Sequence, residues 1–207
     1  MKTIKVVIHI LQTSLQDIWG DLWTTLVINL LWTLSVCLII PGPPATLALF
    51  YYGSRLAHGE VADLDDFWQA FRRCWGPGWR WGAINLLVIG LLAGDAILTD
   101  QVGSSELAPF VQGFYLAALA GWLVLQLYTL SFLFEQDTLS VRQALRNAAV
   151  MVGKNPGFTT VLAVLLMLLL AFGTLFFMLS FAFGAVILAC TGSRAVHNRL
   201  ETPQPTP

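Results

Sequence analysis

The sequence predicts an all-α, polytopic transmembrane helical bundle. Three features predict it: a very low charge content, two long uncharged stretches, and the gathering of every Lys and Arg between particular apolar segments. Of 207 residues, 57% are hydrophobic and only 11% charged, against about 25% charged in a typical soluble domain. So few charges cannot cover an aqueous surface, and much of the molecule is expected to face lipid. The formal net charge is -1 and no basic run occurs. That excludes a nucleic-acid binder, which needs positive charge to neutralise phosphates. The length suits one membrane domain, residues 1–200, with no soluble domain attached. The first apolar stretch, beginning near Leu22, is too long for a signal-peptide core and lacks a small-residue cleavage site.

Residues 22–54 contain no charge, and Pro41-Gly42-Pro43-Pro44 interrupts them. A continuous helix does not accommodate that run, so two segments are expected, A over 22–40 and B over 45–57. At about 1.5 Å per residue, B reaches only some 20 Å; it either crosses a locally thinned bilayer or is a half-span held against its neighbours. Segment C is expected over 81–98 and segment D over 110–134. The stretch from Asn155 to Ser193 is again uncharged. As one straight helix it would be about 58 Å long, nearly twice the hydrocarbon thickness. Two segments fit better, E over 157–173 and F over 174–193, turning near Gly173-Thr174.

Amphipathic interfacial helices are expected between these spans. Before A, Ile4, Ile8, Leu11, Leu15, Ile18 and Leu22 recur at helical spacing; that helix either lies in the interface or extends A. Between B and C, Leu64, Phe67, Trp68 and Phe71 form a stripe, with Asp63, Asp65 and Asp66 at the helix start and Arg72 and Arg73 at its end, as the helix dipole favours. Between D and E, Val141, Ala144, Leu145, Ala148 and Val152 face inward and Arg142 and Arg146 outward. Residues 201–207 are Pro-rich and polar, and a disordered tail is expected there.

Charge then sets topology. Lys2 and Lys5 precede A; Arg55, Arg72, Arg73 and Arg80 lie between B and C; Arg142, Arg146 and Lys154 lie between D and E; Arg194 and Arg199 follow F. The C–D connection carries Asp95, Asp100 and Glu106 but no Lys or Arg. With six segments all 11 Lys and Arg fall on one side, so the positive-inside rule favours six, with both termini cytoplasmic in a plasma membrane. The halves also echo each other. Gln69-Ala70-Phe71-Arg72 matches Gln143-Ala144-Leu145-Arg146, each followed by a Pro-Gly, Pro77-Gly78 or Pro156-Gly157, and an apolar span.

Asn29-Leu30-Leu31-Trp32, the run from Gly42 to Tyr52 (Gly-Pro-Pro-Ala-Thr-Leu-Ala-Leu-Phe-Tyr-Tyr) and Asp66-Phe67-Trp68-Gln69-Ala70-Phe71-Arg72 resemble the YesL-like family of bacterial membrane proteins, a domain of unknown function. The Asn155-Pro156 turn into a Leu-rich span ending in Gly192-Ser193-Arg194 is similar too. The resemblance implies an accessory role in sugar import, because family members are often encoded beside carbohydrate-uptake and polysaccharide-degradation genes. It assigns no catalytic residue.

Polar residues within lipid are the candidate site. Asn29, Asn85 and Gln126 are expected at similar depth, either as a polar patch for a substrate or as interhelical hydrogen bonds. Asp95 is the fourth candidate: buried within a span it would be a proton or cation site, but it is expected at the outer end of C, in water. Gly90 and Gly94, with Gly113, Ala117 and Gly121, suggest close helix packing within the chain or between copies. His9, His58 and His197 are far apart in sequence, and no metal site is expected from spacing alone. Cys37, Cys74 and Cys190 read as small apolar residues. The tryptophans cluster at segment ends as an aromatic belt. No phosphate loop, catalytic triad or zinc motif occurs, so neither an enzyme nor a cofactor is expected. The expected partners are the bilayer and a transporter subunit or a second copy, making this a non-enzymatic accessory of carbohydrate uptake; the alternative is a small transporter or channel. Cysteines introduced at Lys2 and at Gly103 should react with impermeant reagents from opposite sides of the membrane, and labelling from the same side would overturn the six-segment topology.

Overall fold

The Pro41-Gly42-Pro43-Pro44 run starts a helix instead of merely ending one. Proline is pre-organised for the first helical turn, where its missing N–H is not needed. In the computed structural model, which describes residues 2–20, 22–102, 108–175 and 177–201, the helix starting there spans Gly42–Ala57, with Pro in its first turn. The chain order among the described residues is α1 (Lys2–Gly20), α2 (Leu22–Cys37), α3 (Gly42–Ala57), α4 (Leu64–Arg73), α5 (Trp75–Val102), α6 (Ala108–Leu133), α7 (Val141–Lys154), α8 (Pro156–Leu175) and α9 (Phe177–Glu201). Those residues form no strand. Each expected segment and linker has its helix. The expected turn near Gly173-Thr174 is helical instead, with α8 continuing to Leu175. The expected tail, residue 201 apart, and the Gly103–Leu107 connection lie outside the described residues.

Helix α3 sits at the centre. It is short, about 24 Å at 1.5 Å per residue, and its burial is nearly all-round: Ala45, Leu47, Ala48, Leu49, Tyr52 and Gly53 are among its enclosed residues. A helix apolar on every side belongs inside other helices, and α1, α2, α4, α5, α6 and α9 all pack on this one. The approach to α9 is close: a Cβ on Gly53 would lie 2.8 Å from the backbone at Ala189 and Cys190. Helix α2 pairs antiparallel with α3 through two side-chain bonds, the Thr25 hydroxyl with the Tyr52 hydroxyl at 3.1 Å and Trp32 Nε1–H to Thr46 Oγ1 at 3.0 Å. The turn joining them places Ile39 at φ 64°, a left-handed conformation that a β-branched residue adopts only under strain.

Helix α4 folds back along α3. Its N-terminus is fixed by a capping box, in which Asp63 Oδ1 accepts from Asp66 N–H at 2.9 Å and Asp66 Oδ2 accepts from Asp63 N–H at 3.1 Å. Asp66 also pairs with Arg55 near the end of α3. At the other end, Gly78 and Gly82 of α5 rest on Pro44 and Pro43. Arg80 therefore lies at the level of the Pro41–Pro44 turn. The six-segment reading set that turn and Arg80 on opposite faces, so segment B as a full crossing is not what the packing shows. The physical reason is the fold-back of α4, which returns the chain to the start of α3. Helix α7 packs along α6 in the same manner, capped by Ser140 Oγ accepting from Gln143 N–H at 3.4 Å. The sequence echo is thus also an echo of element order.

Length and composition set the membrane count. Among the described residues one helix, Pro109–Leu133, is by itself long and apolar enough to cross. Two bent pairs pass only together, Thr3–Gly20 with Leu22–Cys37 at 98° and Val141–Lys154 with Pro156–Leu169 at 103°. Exposed large apolar side chains lie on the far half of α2 (Leu34, Val36), in the turn after it (Leu38, Ile39), on α5 (Leu86, Leu87, Leu91) and on the first half of α6 (Phe110, Phe114, Leu116), while α3 has none.

Two stripes differ from expectation. In α1 the protein-facing residues are Val7, Ile10, Ser14 and Ile18, whereas Ile4, Ile8 and Leu15 are exposed. A lipid-facing surface is as apolar as a core, so the greasiest stripe need not be the one that packs on protein. In α4, Phe67 and Ala70 are buried but Leu64 and Trp68 are exposed, with Trp68 stacked on Phe71 at 5.2 Å and capped by Arg72. The glycines expected to mediate packing do not do so within the chain. A Cβ on Gly90, Gly94, Gly113 or Gly121 would meet nothing within 4 Å, and Ala117 is exposed. Close approach occurs instead at Gly53, Gly78, Gly82 and Gly192.

Gly53→Val should therefore overpack the α3–α9 contact and lower stability in detergent by about 1–3 kcal/mol or more. Gly121→Ala should be neutral or stabilising by up to about 1 kcal/mol, since it removes only the helix-interior glycine cost. Thermal unfolding of the two variants side by side checks the assignment; equal loss in both would refute it.

Candidate functional site

Three sets of polar side chains are built into the bundle. The first joins α5 to α6. Asn85 and Gln126 are buried, and α5 and α6 pack side by side. Gln126 Oε1 accepts from Trp81 Nε1–H at 2.8 Å and from Asn85 Nδ2–H at 3.3 Å. Asn85 Nδ2 also donates to the Trp81 carbonyl at 3.0 Å, one turn earlier. Trp122 Nε1–H donates to Asn85 Oδ1 at 3.0 Å. Each amide oxygen therefore faces donors, and the two indoles serve as donors within a network. Gln126 Nε2 remains buried without a hydrogen-bond partner. Gln126 borders an apolar cavity of about 690 Å³, lined among others by Phe50, Val124, Leu130, Thr159 and Leu166.

The second set ties α2 to α9. Asn29 Oδ1 accepts from the backbone N–H groups of Ala185 at 3.2 Å and Val186 at 3.3 Å. Asn29 is thus held on α9 while Asn85 and Gln126 hold each other. Asp95 is exposed on α5, ten residues or about 15 Å along the axis from Asn85. Of the four expected patch residues, the structure brings together two. The cavity beside them is apolar, not a polar path.

The third set lies where α3, α6 and α9 end, and it contains the residues that spacing alone did not connect. Helix α3 stops at Gly59, whose φ of 75° is the left-handed C-cap conformation that glycine adopts without penalty. That stop places His58 at the helix end, its Nδ1 2.8 Å from the Ser54 carbonyl. His58 Nε2 lies 3.5 Å from Glu135 Oε1. The His58 and His197 rings meet edge to face at 4.7 Å. His9, the third histidine, lies in α1 and is no member of this cluster. Positions 58, 135 and 197 each fall at or near a helix end, and that shared placement was the only sequence signal linking them. Nearby, Arg194 pairs with Asp17 of α1, its Nε–H 2.8 Å from Asp17 Oδ2, and Arg55 bridges Glu60 at 2.9 Å and Asp66.

Beside this end lies a cleft of about 810 Å³ lined by Arg142, Arg146, Asn147, Lys154, Asn155 and Arg199. Arg142, Arg146 and Lys154 are exposed. Arg199 sits 3.7 Å over the Phe158 ring, where burial pulls its pKa down and the ring face partly replaces water around the cation. Cys74 is buried between α4 and α5, and burial pushes its thiol up to about 11.

A family model described as "Protein of unknown function, DUF624" matches residues 25–96. That match covers α2 through most of α5, including Asn29, the proline turn, α3 and Asn85. No curated protein and no solved structure matches the chain.

Asn85→Leu and Gln126→Leu should each lower stability by about 1–2 kcal/mol, the cost of a buried membrane hydrogen bond and its stranded partner. The double substitution should cost less than the sum, because each single change strands the other's partners. Strict additivity in thermal unfolding would show that the four side chains do not form one network.

Proposed function

We propose that this chain is a non-enzymatic membrane module that associates through its positively charged end with a carbohydrate importer. The observation that carries the reading is the way its intramembrane polar groups are spent. Asn29 bonds the backbone of α9, and Asn85, Gln126, Trp81 and Trp122 bond one another. Such bonds fix helix positions and offer no hydrated route for a solute. A channel or transporter needs polar groups facing a continuous path, and the cavity beside Gln126 is apolar.

The basic cleft supports a partner on the charged side. Arg142 and Arg146 lie one turn apart on α7 and face outward beside Lys154. Their chemistry suits an acidic segment of another protein's cytoplasmic surface. The sugar-import assignment rests on the resemblance of the Asn29–Trp32, Gly42–Tyr52 and Asp66–Arg72 motifs to the YesL-like family. The topology proposed with it keeps both termini on the cytoplasmic side of a bacterial membrane.

Affinity purification of the full chain in mild detergent should recover a transporter subunit, and the Arg142→Glu, Arg146→Glu variant should lose it while folding normally. Recovery of the chain alone under several lipid conditions would defeat the accessory reading. Recovery unaffected by the charge reversal would move the partner to another face.

A further inference from the structure

We propose that His58, Glu135 and His197 form a binding site for a divalent transition-metal ion of the Zn²⁺ class. One ligand atom from each of the three side chains lies within 4.8 Å of the others, although the residues come from three different helix ends. The tautomer of His58 carries the argument. Its Nδ1 is 2.8 Å from the Ser54 carbonyl, which only accepts, so Nδ1 bears the proton. In the neutral ring the lone pair then resides on Nε2, and Nε2 faces Glu135 Oε1 at 3.5 Å. Two acceptors that face each other repel unless a cation, a proton or a metal ion, lies between them. Glu135 Oε1 is itself buried with no hydrogen-bond partner, a costly state for a carboxylate oxygen unless a positive charge compensates it.

The spacing suits a metal. With Zn–N and Zn–O bonds near 2.1 Å and tetrahedral angles, ligand atoms are about 3.4 Å apart, close to the Nε2–Oε1 separation. A backbone carbonyl commonly holds the other nitrogen of a ligating imidazole, fixing both tautomer and ring orientation. Glu201, whose Oε1 lies 3.2 Å from His197 Nε2, puts a second carboxylate beside the His197 ring and adds to the negative field. Two imidazoles and a carboxylate favour Zn²⁺ and its neighbours in the first transition row over Mg²⁺ or Ca²⁺, which take oxygen ligands. Bound there, the ion would clip together the ends of α3, α6 and α9, and would leave one coordination position open to water or to a ligand.

The test uses the full chain, without a histidine tag, in detergent and stripped of metal by chelator. Titration with Zn²⁺ should show one equivalent bound, with a matching rise in thermal midpoint, and Mg²⁺ at the same concentration should give neither. His58→Gln, Glu135→Gln and His197→Gln should each weaken Zn²⁺ binding at least tenfold and abolish the midpoint rise. His9→Gln should leave both unchanged. Co²⁺ should give the visible spectrum of a four-coordinate nitrogen–oxygen site in the parent and not in the variants. Should a variant fold poorly, Co²⁺ bound to the parent at this site is read by its spectrum alone. No stoichiometric Zn²⁺ binding by the folded parent would overturn the proposal and leave a proton on His58 as the compensating cation. Binding that survives the His58→Gln, His197→Gln double variant would overturn it as well.

Discussion

The contact between α3 and α9 at Gly53 is the constraint on which the rest of the structure depends. With no side chain at that position, the backbone of α9 at Ala189 and Cys190 lies directly against α3. Close packing of backbones replaces the hydrophobic driving force that lipid removes. Once α9 lies on α3, the remaining helices have little freedom. Asn29 reaches the α9 backbone only because α2 is pinned beside α3 by Thr25–Tyr52 and Trp32–Thr46. Gly192 makes room on α9 for the Leu127 and Ser131 side chains of α6, and α1 is locked on by Asp17 and Arg194.

Polar chemistry is distributed by depth. In the apolar part of the bundle, amides and indoles bond pairwise between helices, contributing about 0.6–2 kcal/mol each. At the end where α3, α6 and α9 finish, charged groups accumulate: Arg55 with Glu60 and Asp66, Arg194 with Asp17, and His58 with Glu135 and His197. The fold-back of α4 on α3 and of α7 on α6 carries further arginines to the outside of the bundle. The molecule therefore presents paired charges where α3, α6 and α9 finish and a largely apolar flank on α5 and the first half of α6.

Much of this was legible in the residues. Pro41 to Pro44 announced the start of α3, and Asp63 with Asp66 announced the α4 cap, because proline and capping residues act locally. The polar residues Asn29, Asn85 and Gln126 stood out because hydrocarbon offers them no water. Partners were not legible. Nothing in the spacing says that Asn85 meets Gln126 and two tryptophans while Asn29 meets a backbone. The glycine pattern misled for a related reason. Gly90 and Gly94 have the spacing of a packing motif but meet no neighbour in the chain, while Gly53 and Gly192, in no such motif, do.

The sequence by itself determined that the chain is helical, where each helix runs, and that its positive charges bracket particular apolar segments, since helix formation, capping and charge placement are set by neighbours within a few residues. Only the tertiary structure decided that α3 is an enclosed helix whose start lies level with Arg80, and that His58, Glu135 and His197 converge. The reason is that lipid-facing and protein-facing surfaces are equally apolar. Hydrophobic periodicity, which orients helices in water, cannot say which face of a membrane helix finds a partner; close backbone approach and a few directional hydrogen bonds make that choice.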